Sequence, residues 1–205
     1  MKPSIVGSPI GDEHQQIADT YDWAGVNTVV DVAGGVGSLL VAILETRGAM
    51  RGVLVEQPKL LPDADRILSE HGVRDRCELL AESFFNSISA AGEVWTLSQV
   101  LHDWPDAECR TILRRCREAM RPDRLLLTVP CEPNVQVSLI DMLMLMYFEE
   151  ARQRTVDEYK NLFDSTHFSL TRVLPTAGAF SIVERCLFKR PIRHLFQVSA
   201  RRIRN

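Results

Sequence analysis

Several large classes of protein are excluded by what this sequence lacks. Its five cysteines form no C-x-x-C pair and their count is odd, so neither a zinc site nor a disulfide framework is indicated. The expectation is reduced thiols, no metal and a cytoplasmic setting. No apolar run is long enough to span a bilayer: the stretch over 139–148 is too short, and Asp141 interrupts it. No secretory signal is read at the start. Charge of neither sign is in excess. A net charge of −3 gives no electrostatic case for nucleic acid. No internal repeat or low-complexity segment occurs. With 205 residues, 45% hydrophobic and 25% charged, the chain has the size and balance of one globular domain with a sizeable core.

What is present is organised around Thr28-Val-Val-Asp-Val-Ala-Gly-Gly-Val-Gly-Ser-Leu40. A buried-type apolar run ends in Asp31. Gly34, Gly35 and Gly37 follow, and then the apolar face of a helix begins. Glycine accepts positive φ and has no Cβ, so the backbone can turn sharply and lie against a ligand. Strand, glycine turn and helix form the nucleotide-binding corner of an open α/β sheet. The dinucleotide fingerprint needs a small residue three positions after Gly37, and Leu40 stands there. A nicotinamide oxidoreductase is therefore disfavoured. Glu56, nineteen residues past Gly37, ends the next apolar run, where a carboxylate can accept from both hydroxyls of a ribose. Tight glycines, Asp31 and Glu56 without a pyrophosphate grip suit S-adenosyl-L-methionine.

The rest of the chain alternates. A helix is expected over 12–21, strands at Thr28–Val32 and over 52–55, and a helix over 37–46 between them. The next helix runs to His71, with Pro58 suited to its first turn. Further strands are expected over 77–80, over 93–97 and at Leu125–Val129. A helix over 106–120 carries Cys109, Ile112, Leu113, Cys116 and Met120 on one face. A helix over 156–165 precedes two strands, Ser169–Pro175 and 180–189. The fold class is α/β: a Rossmann-like, mostly parallel sheet with an antiparallel edge strand and helices on both faces. Residues 1–20 are expected to form a lead-in whose first ten residues should be poorly ordered, 21–189 the main domain, and 190–205 a basic tail. The stretch over 138–148 is apolar nearly all round and wants cover, from a second copy or another partner.

A second informative stretch, Leu97-Ser-Gln-Val-Leu-His-Asp-Trp-Pro-Asp106, lies just past the fourth strand, on the rim where open sheets bind ligands. His102 suits a general base. Asp103 or Asp106 can cap the next helix, Pro105 suits its first turn, and Trp104 can pack beneath.

Asp31-Val-Ala-Gly-Gly-Val-Gly37, Val55-Glu-Gln-Pro58, Ser83-Phe-Phe85 and Leu101-His-Asp-Trp104 recur together, in this order and spacing, in one family. The chain resembles the catalytic domain of the S-adenosylmethionine-dependent O-methyltransferases of the plant caffeate and hydroxyindole type, which have bacterial relatives. The resemblance implies methyl transfer to a hydroxyl of a small, aromatic acceptor. It implies His102 as base with Asp103 beside the substrate. Cofactor contacts are implied for Asp31, Ala33, Gly34, Gly35, Gly37, Glu56, Gln57, Ser83, Phe84 and Ser98. Departures are present too. Ala33 stands for the family's glycine and Ser83 for its frequent aspartate. The two carboxylates that flank the family's histidine are not in place: Glu132 is displaced, and Gln153 precedes Arg154-Thr155. The family's N-terminal helical domain, which dimerises and closes the pocket, has no counterpart. Two alternatives therefore stand beside an active transferase. One is a cofactor-binding domain with lost or altered activity; the other is a non-enzymatic interaction module.

Overall fold

A computed structural model describes residues 12–120, 125–129, 154–178 and 180–186. The expectations for 1–10, for the 138–148 helix, for Glu132 and Gln153, and for the basic tail lie outside these ranges.

In chain order the elements are α1 (Asp12–Thr20), β1 (Thr28–Val32), α2 (Ser38–Glu45), β2 (Arg51–Glu56), α3 (Leu61–Glu70), β3 (Cys77–Ala81), β4 (Val94–Ser98), α4 (Asp106–Ala119), β5 (Leu125–Val129), α5 (Val156–Asp164), β6 (Ser169–Pro175) and β7 (Ser181–Cys186). Short 3₁₀ turns at Arg74–Arg76 and Leu101–Asp103 precede β3 and α4. The described strands form one sheet in the order β3-β2-β1-β4-β5-β7-β6. The first five pair in parallel, and β7 runs antiparallel to both β5 and β6. The antiparallel pairing thus falls at one end of the sheet, with β7 inserted between β5 and β6.

Period-two alternation puts the strand side chains on two faces. Val30, Val32, Val53, Val55, Trp95, Leu97 and Val183 pack with α4 and α5. Val29, Leu54, Val94 and Ile182 pack with α1, α2 and α3. Helices cover both faces, as in doubly wound folds. The face of α4 carries Cys109, Ile112, Leu113 and Cys116, all buried, as its helical spacing predicts.

Two elements differ from expectation. All of α2 from Ser38 to Leu44 is buried, not one stripe. The reason is α1, whose Ile17 and Ala18 close the outer side of α2. The junction is pinned by Arg47 and Trp23, which donate to the Ala18 carbonyl at 2.7 and 2.9 Å. The third helix begins at Leu61, with Pro62 rather than Pro58 in its first turn. Residues 57–60 form a turn instead, closed by Leu60 N–H on the Gln57 carbonyl at 3.0 Å.

Candidate active site

The sheet order reverses between β1 and β4, and at such switch points a crevice opens beyond the carboxyl ends of the strands. Asp31 sits there, fully buried. The Thr96 hydroxyl of β4 donates to its Oδ1 at 2.6 Å, while its Oδ2 has no hydrogen-bond partner. Burial pushes this carboxyl up to about 7; the Thr96 bond opposes the shift and nearby Glu56 adds to it. The three glycines have distinct reasons. A Cβ on Gly34 would lie 2.1 Å from Asp31 Oδ2, so the glycine lets the loop pass the carboxyl group. A Cβ on Gly35, at φ 59°, would meet nothing within 4 Å. Its bare backbone faces open space. Gly37, at φ 83°, is the N-cap of α2; its N–H closes the turn on the Gly34 carbonyl at 3.0 Å. Ala33 also takes the left-handed region, at φ 57°, where a side chain is strained. Leu40 is buried, and a Cβ on Gly52 would lie 3.1 Å from it. The close approach of helix and strand that a dinucleotide loop obtains from its third glycine is obtained here from a glycine on β2.

Glu56, buried at the end of β2, accepts from Gly35 N–H at 3.0 Å and Gln57 N–H at 2.7 Å. Burial raises its pKa, partly offset by those two N–H groups and Lys59. After β3, Ser83 and the buried Phe84 begin a turn in which Asn86 N–H donates to the Ser83 carbonyl at 2.9 Å. Trp104 meets Phe84 and Phe85 edge to face, and the two phenylalanines are tilted against each other, in a cluster with centroids 4.7–6.3 Å apart. This cluster joins the turn after β3 to the turn after β4.

Ser98 lies on the same face as Thr96, one step nearer the rim, and its buried hydroxyl has no partner. Gln99, at φ 55°, donates to Glu13 Oε1 at 3.3 Å and so brings the first turn of α1 to the end of β4. Next to Glu13, His14 has a buried Nδ1 without a partner, and burial lowers its pKa. The sequence reading missed this approach of α1; an acidic residue and a histidine on a leading helix give no signal of where the helix docks.

His102 sits in the Leu101–Asp103 turn and is largely buried. Its Nε2 is 3.3 Å from Asp103 Oδ1. A carboxylate therefore stands beside the imidazole within the same motif. The cap expectation is not met: Pro105 is the N-cap of α4, and no side-chain cap bond forms. Asp106 in the first turn instead pairs with Arg154, at 2.9 Å. Trp104 does pack, against Phe85. The structure thus gathers the glycine loop, Glu56, Ser98 and His102 at one rim, with Phe84 reaching it through the aromatic cluster.

This arrangement defines a Rossmann-like α/β domain with a candidate ligand site at the glycine loop and a histidine at the rim. The chain belongs to the O-methyltransferase domain family, which it matches over residues 12–169. It is 42% identical over 173 residues to the phenazine O-methyltransferase PhzM of Lysobacter antibioticus, covering 82% of this chain and 50% of that protein. It is similar in structure to the O-methyltransferase NcsB1 from neocarzinostatin biosynthesis, solved with S-adenosylmethionine and 2-hydroxy-5-methyl naphthoic acid. The TM-score is 0.76 at 32% identity, over 83% of this chain and 51% of that one. It is also 35% identical over 161 residues to aclacinomycin 10-hydroxylase RdmB of Streptomyces purpurascens, covering 75% of this chain and 42% of that protein. The chain spans about half the length of the relatives it matches. Among the described residues, no helix is long and apolar enough to cross a membrane.

Proposed function

We propose that this chain is the cofactor-and-base half of an S-adenosyl-L-methionine-dependent O-methyltransferase acting on a small aromatic acceptor. The observation that carries the reading is the His102–Asp103 pair on the rim that also holds the glycine loop and Glu56. When bound, S-adenosyl-L-methionine supplies a methyl group activated by a sulfonium. The residues present fit it. Gly35 leaves open space over its backbone, and Asp31 and Ser98 hold unpartnered polar atoms. Glu56 suits the ribose hydroxyls, with Gln57, Ser83 and Phe84 toward the base and Asp31, Ala33, Gly34 and Gly37 shaping the loop.

His102 takes the hydroxyl proton of the acceptor as the oxygen attacks, and Asp103 stabilises the imidazolium that forms. Reference values for a phenol and an imidazole differ by about 3.5 pKa units, roughly 5 kcal/mol against full transfer. The proton therefore moves in concert with attack. The rest of the rate comes from holding the partners in line, worth roughly 7–11 kcal/mol for well-oriented pairs. The buried thiols of Cys77, Cys109 and Cys116 are free, which supports a cytoplasmic setting. The 138–148 stretch, apolar in sequence, is the candidate for association with a second copy or a partner.

The test is His102→Ala assayed on a panel of hydroxylated phenazines, naphthoates and benzoates. Turnover is expected to fall ~10²–10⁴-fold, with adenosylhomocysteine affinity retained; unchanged turnover would remove His102 from the chemistry. A second reading, a cofactor-binding domain with altered chemistry, is favoured by the likeness to a hydroxylase. It would show as cofactor binding without methylation of any acceptor.

A further inference from the structure

We propose that Arg154 is a positioning residue for His102, clamping the backbone on both sides of the turn that presents it. The proposal rests on the transfer reading above.

Arg154 stands immediately before Thr155, the N-cap of α5, and its side chain is 1% exposed. Its Nη1 donates to the Leu101 carbonyl at 2.5 Å, and its Nη2 to the Trp104 carbonyl at 2.8 Å. Nε and Nη2 both reach Asp106 Oδ1, at 3.1 and 2.9 Å. The two carbonyls bracket His102 and Asp103. Four residues beyond Leu101 stands Pro105, which has no N–H. The first bond of α4 runs from Cys109 N–H to the Pro105 carbonyl. Cys109 Sγ approaches the same two carbonyls, at 3.1 and 3.2 Å. Both acceptors are therefore covered from α4 and from the start of α5, and their position fixes the dihedrals of the residues between them. Only the planar guanidinium spans two carbonyls and a carboxylate at once; an ammonium is a point with three donors. The clamp touches neither the glycine loop nor Glu56.

The experiment uses the full chain as wild type, Arg154→Lys, Asp106→Asn, His102→Ala, and His102→Ala combined with Arg154→Lys. The readouts are the nitrogen-15 NMR signals of the His102 imidazole, adenosylhomocysteine affinity by calorimetry, and kcat. In Arg154→Lys the imidazole signals are expected to move or broaden, with affinity within about two-fold of wild type. A displacement near 1 Å can cost about 100-fold in rate, so kcat is expected to fall ~10–100-fold. In the His102→Ala background the same substitution should cost nothing further, because its effect passes through that imidazole. Unmoved His102 signals, or an equal loss in both backgrounds, would overturn the proposal. If the wild type binds cofactor but transfers no methyl group, the transfer reading fails while the imidazole signals still decide the role of Arg154. If Arg154→Lys unfolds, Asp106→Asn loosens the same clamp by removing the charge that holds the guanidinium from its half-exposed side, and carries the same readouts.

Discussion

At the scale of single residues, Asp31 is the group with most at stake. A carboxyl held at about 7, against 3.8 for the unperturbed group, keeps its proton in the folded chain through a window where the unfolded chain has lost it. Stability from this group is therefore undiminished below about pH 4, declines as pH rises toward 7, and stays low above it. Asp31→Asn keeps the shape and an acceptor for the Thr96 hydroxyl but cannot ionise. Relative to wild type, it should be more stable at pH 8 by a few kcal/mol, at about 1.4 kcal/mol per unit, and no more stable near pH 4. Urea unfolding across that range measures the difference; a gap that does not change with pH would mean Asp31 is not the titrating group. Such a cost is tolerated where a site needs the group. In the sequence, Asp31 was legible as a candidate site residue, but its raised pKa was not, because its burial and the Thr96 contact are made by other strands. The glycines teach the same lesson. Gly34 yields to a side chain, Gly35 to empty space and Gly37 to helix geometry, and the sequence reading has one reason for all three. Arg154 was visible only as the neighbour of Gln153, since its partners lie 48–53 residues away.

At the scale of elements, local pattern was a good guide where local forces decide. The spans of β1, β5 and β6 agree with expectation residue for residue, because apolar runs bounded by turn residues set them. The start of α3 was misplaced, since either Pro58 or Pro62 satisfies a first turn and only the packed chain selects one. The start of α5 holds a signal the reading passed over: Thr155-Val-Asp-Glu158, a T-x-x-E capping box. The Thr155 hydroxyl accepts from Glu158 N–H at 3.3 Å, and the Glu158 carboxylate accepts from Thr155 N–H at 2.8 Å. This box anchors the helix that follows Arg154, so it also steadies the clamp on the His102 turn. Thr155→Ala should destabilise the domain by about 1 kcal/mol, read as a lower urea midpoint with an unchanged slope. Thr155→Ser should restore most of it. An alanine variant as stable as wild type would show that tertiary packing alone holds the helix start.

At the scale of the whole molecule, strand order was beyond local pattern. That β7 enters between β5 and β6 is decided by long-range pairing. This order places the candidate ligand rim on strands that serve both cores at once. Asp31 and Thr96 alternate along their strands with Val30, Val32, Trp95 and Leu97, which pack with α4 and α5, while Val29 and Val94 of the same strands pack with α1, α2 and α3. A ligand held on that rim therefore bears on both faces of the sheet. Buried cysteines report on each face separately: Cys77 packs with α1, α2 and α3, and Cys109 and Cys116 pack with α4 and α5. Burial pushes these thiols up to about 11, 11 and 12, so a thiol reagent reaches a reactive thiolate only after the fold opens. If the domain opens as one unit, Cys77 and Cys109 should be labelled at matching rates under native conditions, resolved by peptide mass spectrometry. Adenosylhomocysteine at a hundred times its dissociation constant adds about 2.7 kcal/mol to stability, so both rates should drop together by about 100-fold. Labelling of Cys77 that ignores the ligand while that of Cys109 slows would show the face of α1, α2 and α3 opening independently. The rim would then draw its stability from the face that carries His102 and Arg154.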